Sequence, residues 1–288
     1  MLAADFELRV EKYLHPQVLP KRHITHQRDI QIAGEYKKVV FSVVQDDRKR
    51  EMARDLLNSR YAWRGYGSTH NLHSDIRHTT FIAEVDKQVV GTMTLGVDSE
   101  DGLAIDRTFA DVAGAIRSEA RGAICELTKL AFDDGIRSRE VLAGLFHMAF
   151  IYGTTHTDCT DLFIEVNPRH VRFYELMLGF QGVGPERTNA SVGAPSRLMR
   201  LEVDTIRSNI RQMAGAERQS NNHSLYPYFF PLEEELQIRR LLDLAVSSPI
   251  ERLERLLEST GGQRVEAEIE EHTGASGFFH RERMRPAA

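Results

Sequence analysis

Apolar residues fall into short runs and helical stripes that divide the chain into alternating strands and helices. Lys37-Lys-Val-Val-Phe-Ser-Val-Val44 is apolar and β-branched, which predicts a buried strand. Asp46 and Asp47 offer an N-cap for a helix to about Arg60, with Met52, Leu56 and Leu57 as its apolar stripe. A loop from Tyr61 to His78 comes next. Thr79–Val85 and Gln88–Val97 flank Asp86-Lys87 as a hairpin. Residues 106–118 read as a short helix and Ala123–Phe132 as a central strand, broken by Asp133-Asp134-Gly135. Ser138 to about Thr154 is a helix, with Val141, Leu142, Leu145, Met148, Ala149 and Tyr152 at helical spacing. Asp161–Val166 is a strand. Asn167 as N-cap, Pro168 at the first helical position and Gly179 as C-cap then bound another helix. Arg197–Val203 reads as the last strand.

The flanks carry weaker patterns. Residues 1–35 are polar and aperiodic, an arm or irregular lead-in. Arg207–Asn222 reads as a linker helix or loop, Tyr226-Pro-Tyr-Phe-Phe-Pro231 as an aromatic, proline-bounded hinge. Leu232–Val246 and Pro249–Leu257 are two amphipathic helices, and the last ~28 residues read as frayed. The expected division is an arm (1–35), a core (36–204) and a helical C-terminal extension with a frayed tail (205–288). A hairpin followed by strand–helix units predicts an α/β (α+β) fold, a mixed central sheet covered by helices on both faces.

Composition narrows the function classes. Lys plus Arg minus Asp plus Glu is 37 − 42 = −5 over 288 residues, which disfavours a nucleic-acid binder. Two cysteines, Cys125 and Cys159, exclude a disulfide scaffold and read as buried thiols. The N-terminus lacks a signal-peptide pattern and no apolar run reaches membrane-span length, so the expected location is cytoplasmic. His23-Ile-Thr-His26 and His70-Asn-Leu-His73 lack a third ligand at fixed spacing, so no metal is expected. There is no P-loop, dinucleotide fingerprint or Gly-x-Ser-x-Gly elbow.

Three local sequences sharpen the picture. They are the hairpin Asp86–Leu95 with Gly91 inside it, the strand Glu126-Leu-Thr-Lys-Leu-Ala-Phe132 running into Asp133–Arg139, and the capped helix Asn167–Phe180 carrying Tyr174. Together they resemble the GNAT acyltransferase superfamily over about 170 of the 288 residues. The Glu-Leu-Thr-Lys-Leu-Ala strand and the Trp63-Arg64 loop look most like FeeM-type N-acyl amino acid synthases, and more distantly like autoinducer (acyl-homoserine-lactone) synthases. The resemblance implies a sheet splayed between its fourth and fifth strands to admit a pantetheine thioester. It implies an acyl-phosphopantetheine co-substrate, on acyl carrier protein or as acyl-CoA, with no permanently bound cofactor and a small-molecule amine as acceptor.

One departure matters. Acetyl-CoA members carry a glycine-rich pyrophosphate loop, whereas Asp134-Gly-Ile-Arg-Ser-Arg139 has one glycine and two arginines. A single phosphodiester, as on acyl carrier protein, suits arginines. Arg117, Arg121, Arg137, Arg139, Arg169 and Arg172 are expected to form a basic rim for that acidic partner, or else ordinary solvated faces.

The reaction requires an amine to attack a thioester carbonyl, so it needs a base, oxyanion donors and an acid for the thiolate. Glu126, a carboxylate in an apolar strand, is the candidate base. Its alternative is an ion pair with Lys129 or an arginine. Strict alternation puts Glu126 and Lys129 on opposite faces unless a bulge intervenes. The resemblance assigns Tyr174 as the acid, against simple core packing. It gives the backbone N–H groups near Leu130 to Phe132 to the carbonyl, and Trp63, Arg64, Arg137, Ser138, Arg139 and Asn167 to the acyl donor. A lone Trp63 could equally be core. Two other functions compete, an acetyl-CoA-dependent acetyltransferase and a non-catalytic acyl-binding or regulatory module. In the second, residues 205–288 would pack on the core, meet a partner or form a homodimer.

Overall fold

A computed structural model describes residues 24–73, 77–136, 138–216 and 223–246. Its strands are β1 (Thr25–Ile32), β2 (Glu35–Val43), β3 (His78–Val85), β4 (Gln88–Val97), β5 (Ala123–Phe132), β6 (Cys159–Val166), β7 (Gln181–Asn189) and β8 (Ala194–Glu202). The helices are α1 (Asp47–Trp63), α2 (Asp106–Glu119), α3 (Arg139–His156), α4 (Val171–Leu178), α5 (Val203–Met213) and α6 (Leu232–Val246). The strands form one sheet in the order β1-β2-β3-β4-β5-β6-β8-β7, antiparallel throughout except for the β5–β6 pair. His23–Leu242 make one compact unit; the other, Met1–Arg22 with Asp243–Ala288, falls almost wholly outside the described residues, as do the expected helix Pro249–Leu257 and the expected frayed tail.

Local chemistry sets the elements. The Asp46 side chain accepts from the Lys49 N–H at 2.8 Å and starts α1. Asp86 and Lys87 both take positive φ (51° and 65°), the tight hairpin turn whose twist matches that of its strands. Helices cover both faces, as expected. On one face Ala53 and Leu57 of α1 pack with Ile82, Val89 and Ala131, while Phe109, Ala113 and Ile116 of α2 pack with Ile124, Phe163 and Leu198. On the other, α3 lies across the sheet, with Tyr152 edge-on to Phe81 at 5.6 Å. Gly91 is required here: a Cβ would sit 2.6 Å from the Phe132 ring and 3.0 Å from Leu145. It lets Phe132 cross β4 beneath α3.

Several element boundaries differ from the sequence expectation. The polar lead-in contains β1, and β2 begins at Glu35. β1 is an edge strand that buries only Ile30 and Ile32 fully, so it shows no apolar run. β7 is the opposite edge, mostly exposed and carrying Pro185, and β8 starts at Ala194 rather than Arg197. Val203 opens helix α5, whose buried Val203, Ile206 and Ile210 straddle the expected strand–linker boundary. The segment Tyr226–Pro231 is no hinge. Tyr226, Phe229 and Phe230 are buried, with Phe230 edge-on to Phe41 at 5.6 Å.

The feature that prepares a site is a split in the sheet. β5 and β6 pair from Ala123↔Cys159 to Leu127↔Ile164 and then part. β5 continues to Phe132 on β4 alone, and β6 continues to Val166 on β8 alone. Among the described residues, the edge of 128–132 that faces β6 has no strand partner.

Candidate active site

Glu126 sits beside the apex of this split, on the α1–α2 face. Its side chain is 1% exposed. Its two oxygens accept the Ala104 N–H at 2.8 Å and the Ile105 N–H at 3.1 Å, just before α2. Gly96, its β4 partner, makes room: a Cβ there would meet the Glu126 side chain at 3.2 Å. Burial pushes the carboxyl above the usual range, and the two backbone donors pull it back down. His78 of β3 adds a smaller downward pull. Each oxygen has a second lone pair for a substrate proton or a water.

Two residues further, β5 bulges. Thr92 and Thr94 of β4 oppose Ala131 and Thr128, so three steps on β5 match two on β4, and Lys129 takes φ 56°. Thr128, Lys129 and Leu130 are part-exposed, in keeping with an opening at the split. Beyond Phe132 the Asp133 side chain accepts from Gly135 N–H at 2.8 Å. Ser138 caps α3, accepting from Val141 N–H at 3.4 Å.

A cavity of about 510 Å³ opens here, walled by Phe132, Ile136, Leu142, Phe173, Leu176 and Met177. Ser138, Arg139, Arg172 and His223 supply its polar lining. A mostly apolar cleft with a few convergent cations suits an amphiphile with an apolar chain and an anionic group.

Tyr174 lies on α4 and is half-buried, its ring edge-on to Phe173 at 5.2 Å and to Phe180 at 6.1 Å. Burial pushes its hydroxyl up to about 12; Tyr61 adds to the rise, and the Arg64 cation partly offsets it. Tyr174 therefore shares a neighbourhood with the C-terminal end of α1. Trp63 is 74% exposed, so it is not core. Arg60 stacks on it at 5.2 Å while pairing with Asp134 in the β5–α3 loop. Asn167 is occupied as a cap, accepting from Arg169 N–H at 3.3 Å.

Phe132, Ser138 and Arg139 thus come together around the cavity, and Tyr174 with Arg64 beside it on α4 and α1. Glu126 lies outside the cavity lining, six residues before Phe132 on the same strand with the Lys129 bulge between them. Arg137 lies outside the described residues. The expected arginine rim breaks up. Arg117 is locked between Asp98 and Asp106, both at 2.6 Å, and Arg121 precedes β5, at the opposite end from Arg139. Arg139 and Arg172 line the cavity, with Arg169 one turn before Arg172. Sequence reasoning missed the apolar wall from α4, whose Phe173, Leu176 and Met177 keep helical spacing, and it missed His223. It also missed the polar row on Glu126's face: Thr80 bonded to Thr94 at 2.9 Å, with Thr128 paired to Thr94. Its signal is the threonine at every second position of Gly-Thr-Met-Thr-Leu in an otherwise apolar strand.

The family model of the N-acyl amino acid synthase FeeM matches residues 52–202, 151 of the 288. The solved structure of FeeM, an N-acyl amino acid synthase from uncultured soil microbes, is 28% identical, with 60% of this chain and 94% of that chain covered at a TM-score of 0.54. The acyl-homoserine-lactone (AHL) synthase LasI is 14% identical over 58% of this chain and 91% of that one, TM-score 0.44. An acyl-CoA N-acyltransferase from Pseudomonas aeruginosa is 12% identical over 56% and 98%, TM-score 0.41. No curated protein matches the chain.

Proposed function

The chain belongs to the FeeM N-acyl amino acid synthase family, and from that footing we propose that it moves a medium or long acyl chain from the thioester of acyl carrier protein, or of coenzyme A, to the amine of an amino acid or similar small molecule. The observation that carries this reading is the apolar cavity of about 510 Å³ at the open end of the β5–β6 split. An acetyl group would leave most of it unfilled. The single glycine of the Asp134–Arg139 loop points the same way.

In this reading Glu126 takes the proton from the attacking amine, directly or through water. The amine nitrogen bonds to the carbonyl carbon, and backbone N–H groups from Leu130 to Phe132 stabilise the oxyanion. The carbon–sulfur bond then breaks and the thiolate takes a proton. A hydroxyl raised to about 12 is a weaker acid than a thiol near 8.5, so Tyr174 stabilises the departing thiolate by donating a hydrogen bond. The proton that ends on sulfur is the one Glu126 took from the amine, passed on through Tyr174 or water, which returns both side chains to their starting states. Arg139, with Ser138 at the α3 start, holds the phosphodiester of the donor, and Trp63 and Arg64 flank its path. Arg137 would add to this set. Asn167 shapes the α4 entry as a cap. Acyl carrier protein is the proposed partner, meeting Arg139, Arg169 and Arg172 by charge.

The test is thiol release from dodecanoyl and acetyl thioesters with mixed amino acids, read with mass spectrometry of the product. A new N-dodecanoyl amino acid, formed faster than the acetyl analogue, is the expected result. Preference for acetyl-CoA would replace this reading with the acetyltransferase one. Binding of the donor with no thiol released would replace it with a non-catalytic acyl-binding module.

A further inference from the structure

We propose that the segment from His223 to Phe230 is a strap that fixes the width of the donor cavity and, through His223, sets the acyl length it accepts. The inference rests on the cavity being the acyl site. The strap lies beyond residue 202, where the family match ends.

The strap is bound to both helices that flank the cavity. On the α4 side, Leu225 N–H donates to the Met177 carbonyl at 2.8 Å, and the Tyr226 hydroxyl donates to the Leu178 carbonyl at 2.9 Å. Carbonyls in the last turn of a helix have no partner within it, so the strap supplies the missing donors. Met177 and its neighbour Leu176 are cavity wall. On the α3 side, Phe230 N–H donates to His147 Nδ1 at 2.9 Å, and the rings of Phe229 and Phe230 stack on the imidazole at 4.7 and 5.1 Å. The first turn of α3 contributes Arg139 and Leu142 to the same cavity.

Leu225, Tyr226, Phe229 and Phe230 are buried, so the strap cannot yield without losing core. The α3–α4 separation is therefore held by residues that are not part of the cavity lining. His223, at the exposed start of the strap, is the wall residue whose size can change without disturbing that core.

The test uses the full chain with octanoyl, dodecanoyl and hexadecanoyl groups, presented on coenzyme A and on acyl carrier protein. In His223→Trp the kcat/KM ratio of hexadecanoyl to octanoyl falls by roughly tenfold, and in His223→Gly it rises, each with an unchanged thermal midpoint. An unchanged length profile in both variants overturns the strap while leaving the acyl reading standing. No turnover by the natural chain with any donor overturns both.

Discussion

At Glu126 two opposed effects act on one carboxyl. Burial favours the neutral acid, and the N–H groups of Ala104 and Ile105 favour the anion. The balance lies above the ordinary glutamate value, the direction a base needs to gain proton affinity near neutral pH. Glu126→Gln is expected to lower kcat by about 10²–10⁴-fold. It also turns one acceptor into a donor facing a backbone N–H, so a stability loss of about 1–3 kcal/mol accompanies it. The pH profile separates the two effects. A base with a raised pKa gives a kcat/KM that falls as pH drops through a value above 4.5, and that limb disappears in the variant. A purely structural Glu126 would leave the limb in place. Arg117 makes the complementary point about charge: bonded to two aspartates, it is unavailable to a partner however exposed its sequence neighbours are.

Among the elements, His147 of α3 couples the strap to α6. Its Nδ1 accepts from Phe230, so Nε2 carries the hydrogen and donates to Glu235 at 3.3 Å. Glu235 also accepts from Arg239 at 2.9 Å, and Glu234 accepts from His26 of β1 at 2.7 Å. A second proton on His147 would face the Phe230 N–H, and burial holds its pKa below 6.5 despite Glu235 and Glu234; the nearby Arg239 lowers it further. The unfolded chain therefore binds a proton first as pH falls below 6.5, and stability drops with it. Burial lowers His26 as well, and it acts in the same sense. Stability measured by urea unfolding should decline from about pH 7.5 to 5.5, and His147→Gln should flatten the slope by up to about 1.4 kcal/mol per pH unit, the worth of one proton. An unaltered slope would show that His147 is not the group. Sequence legibility obeys the same physics. β3–β4, β5 and α3 were readable because each shows its own period and its own turn or cap, Asp86-Lys87 or Ser138. β1, β7 and the strap were not, since edge strands expose their polar sides and the strap's aromatic residues are buried by α3 and β2, which are remote in sequence. The split and the Lys129 bulge lie in pairing register, and only the resemblance pointed to them.

For the whole molecule, the strap and the start of α6 belong to the fold as fully as the sheet does, because His23–Leu242 form one unit. The sheet alone leaves α3 with an imidazole and the Phe41 ring uncovered; Phe229, Phe230 and α6 cover them. Leu225, Tyr226, Phe229, Phe230, Ile238 and Leu242 are all buried. At about 1.5–3 kcal/mol for each side chain, the loss of these six amounts to roughly 9–18 kcal/mol, as large as the about 5–15 kcal/mol that holds a domain folded. Removal would also leave His147 and the last carbonyls of α4 without donors. A chain stopped at residue 222 is therefore expected to lose its cooperative thermal transition and to bind a hydrophobic dye, even though it retains all of residues 52–202 that match the family. A cooperative transition in that shortened chain would mean that the sheet and its first five helices are self-sufficient, and the strap would then be an attachment to the fold with no part in holding α3 and α4 apart.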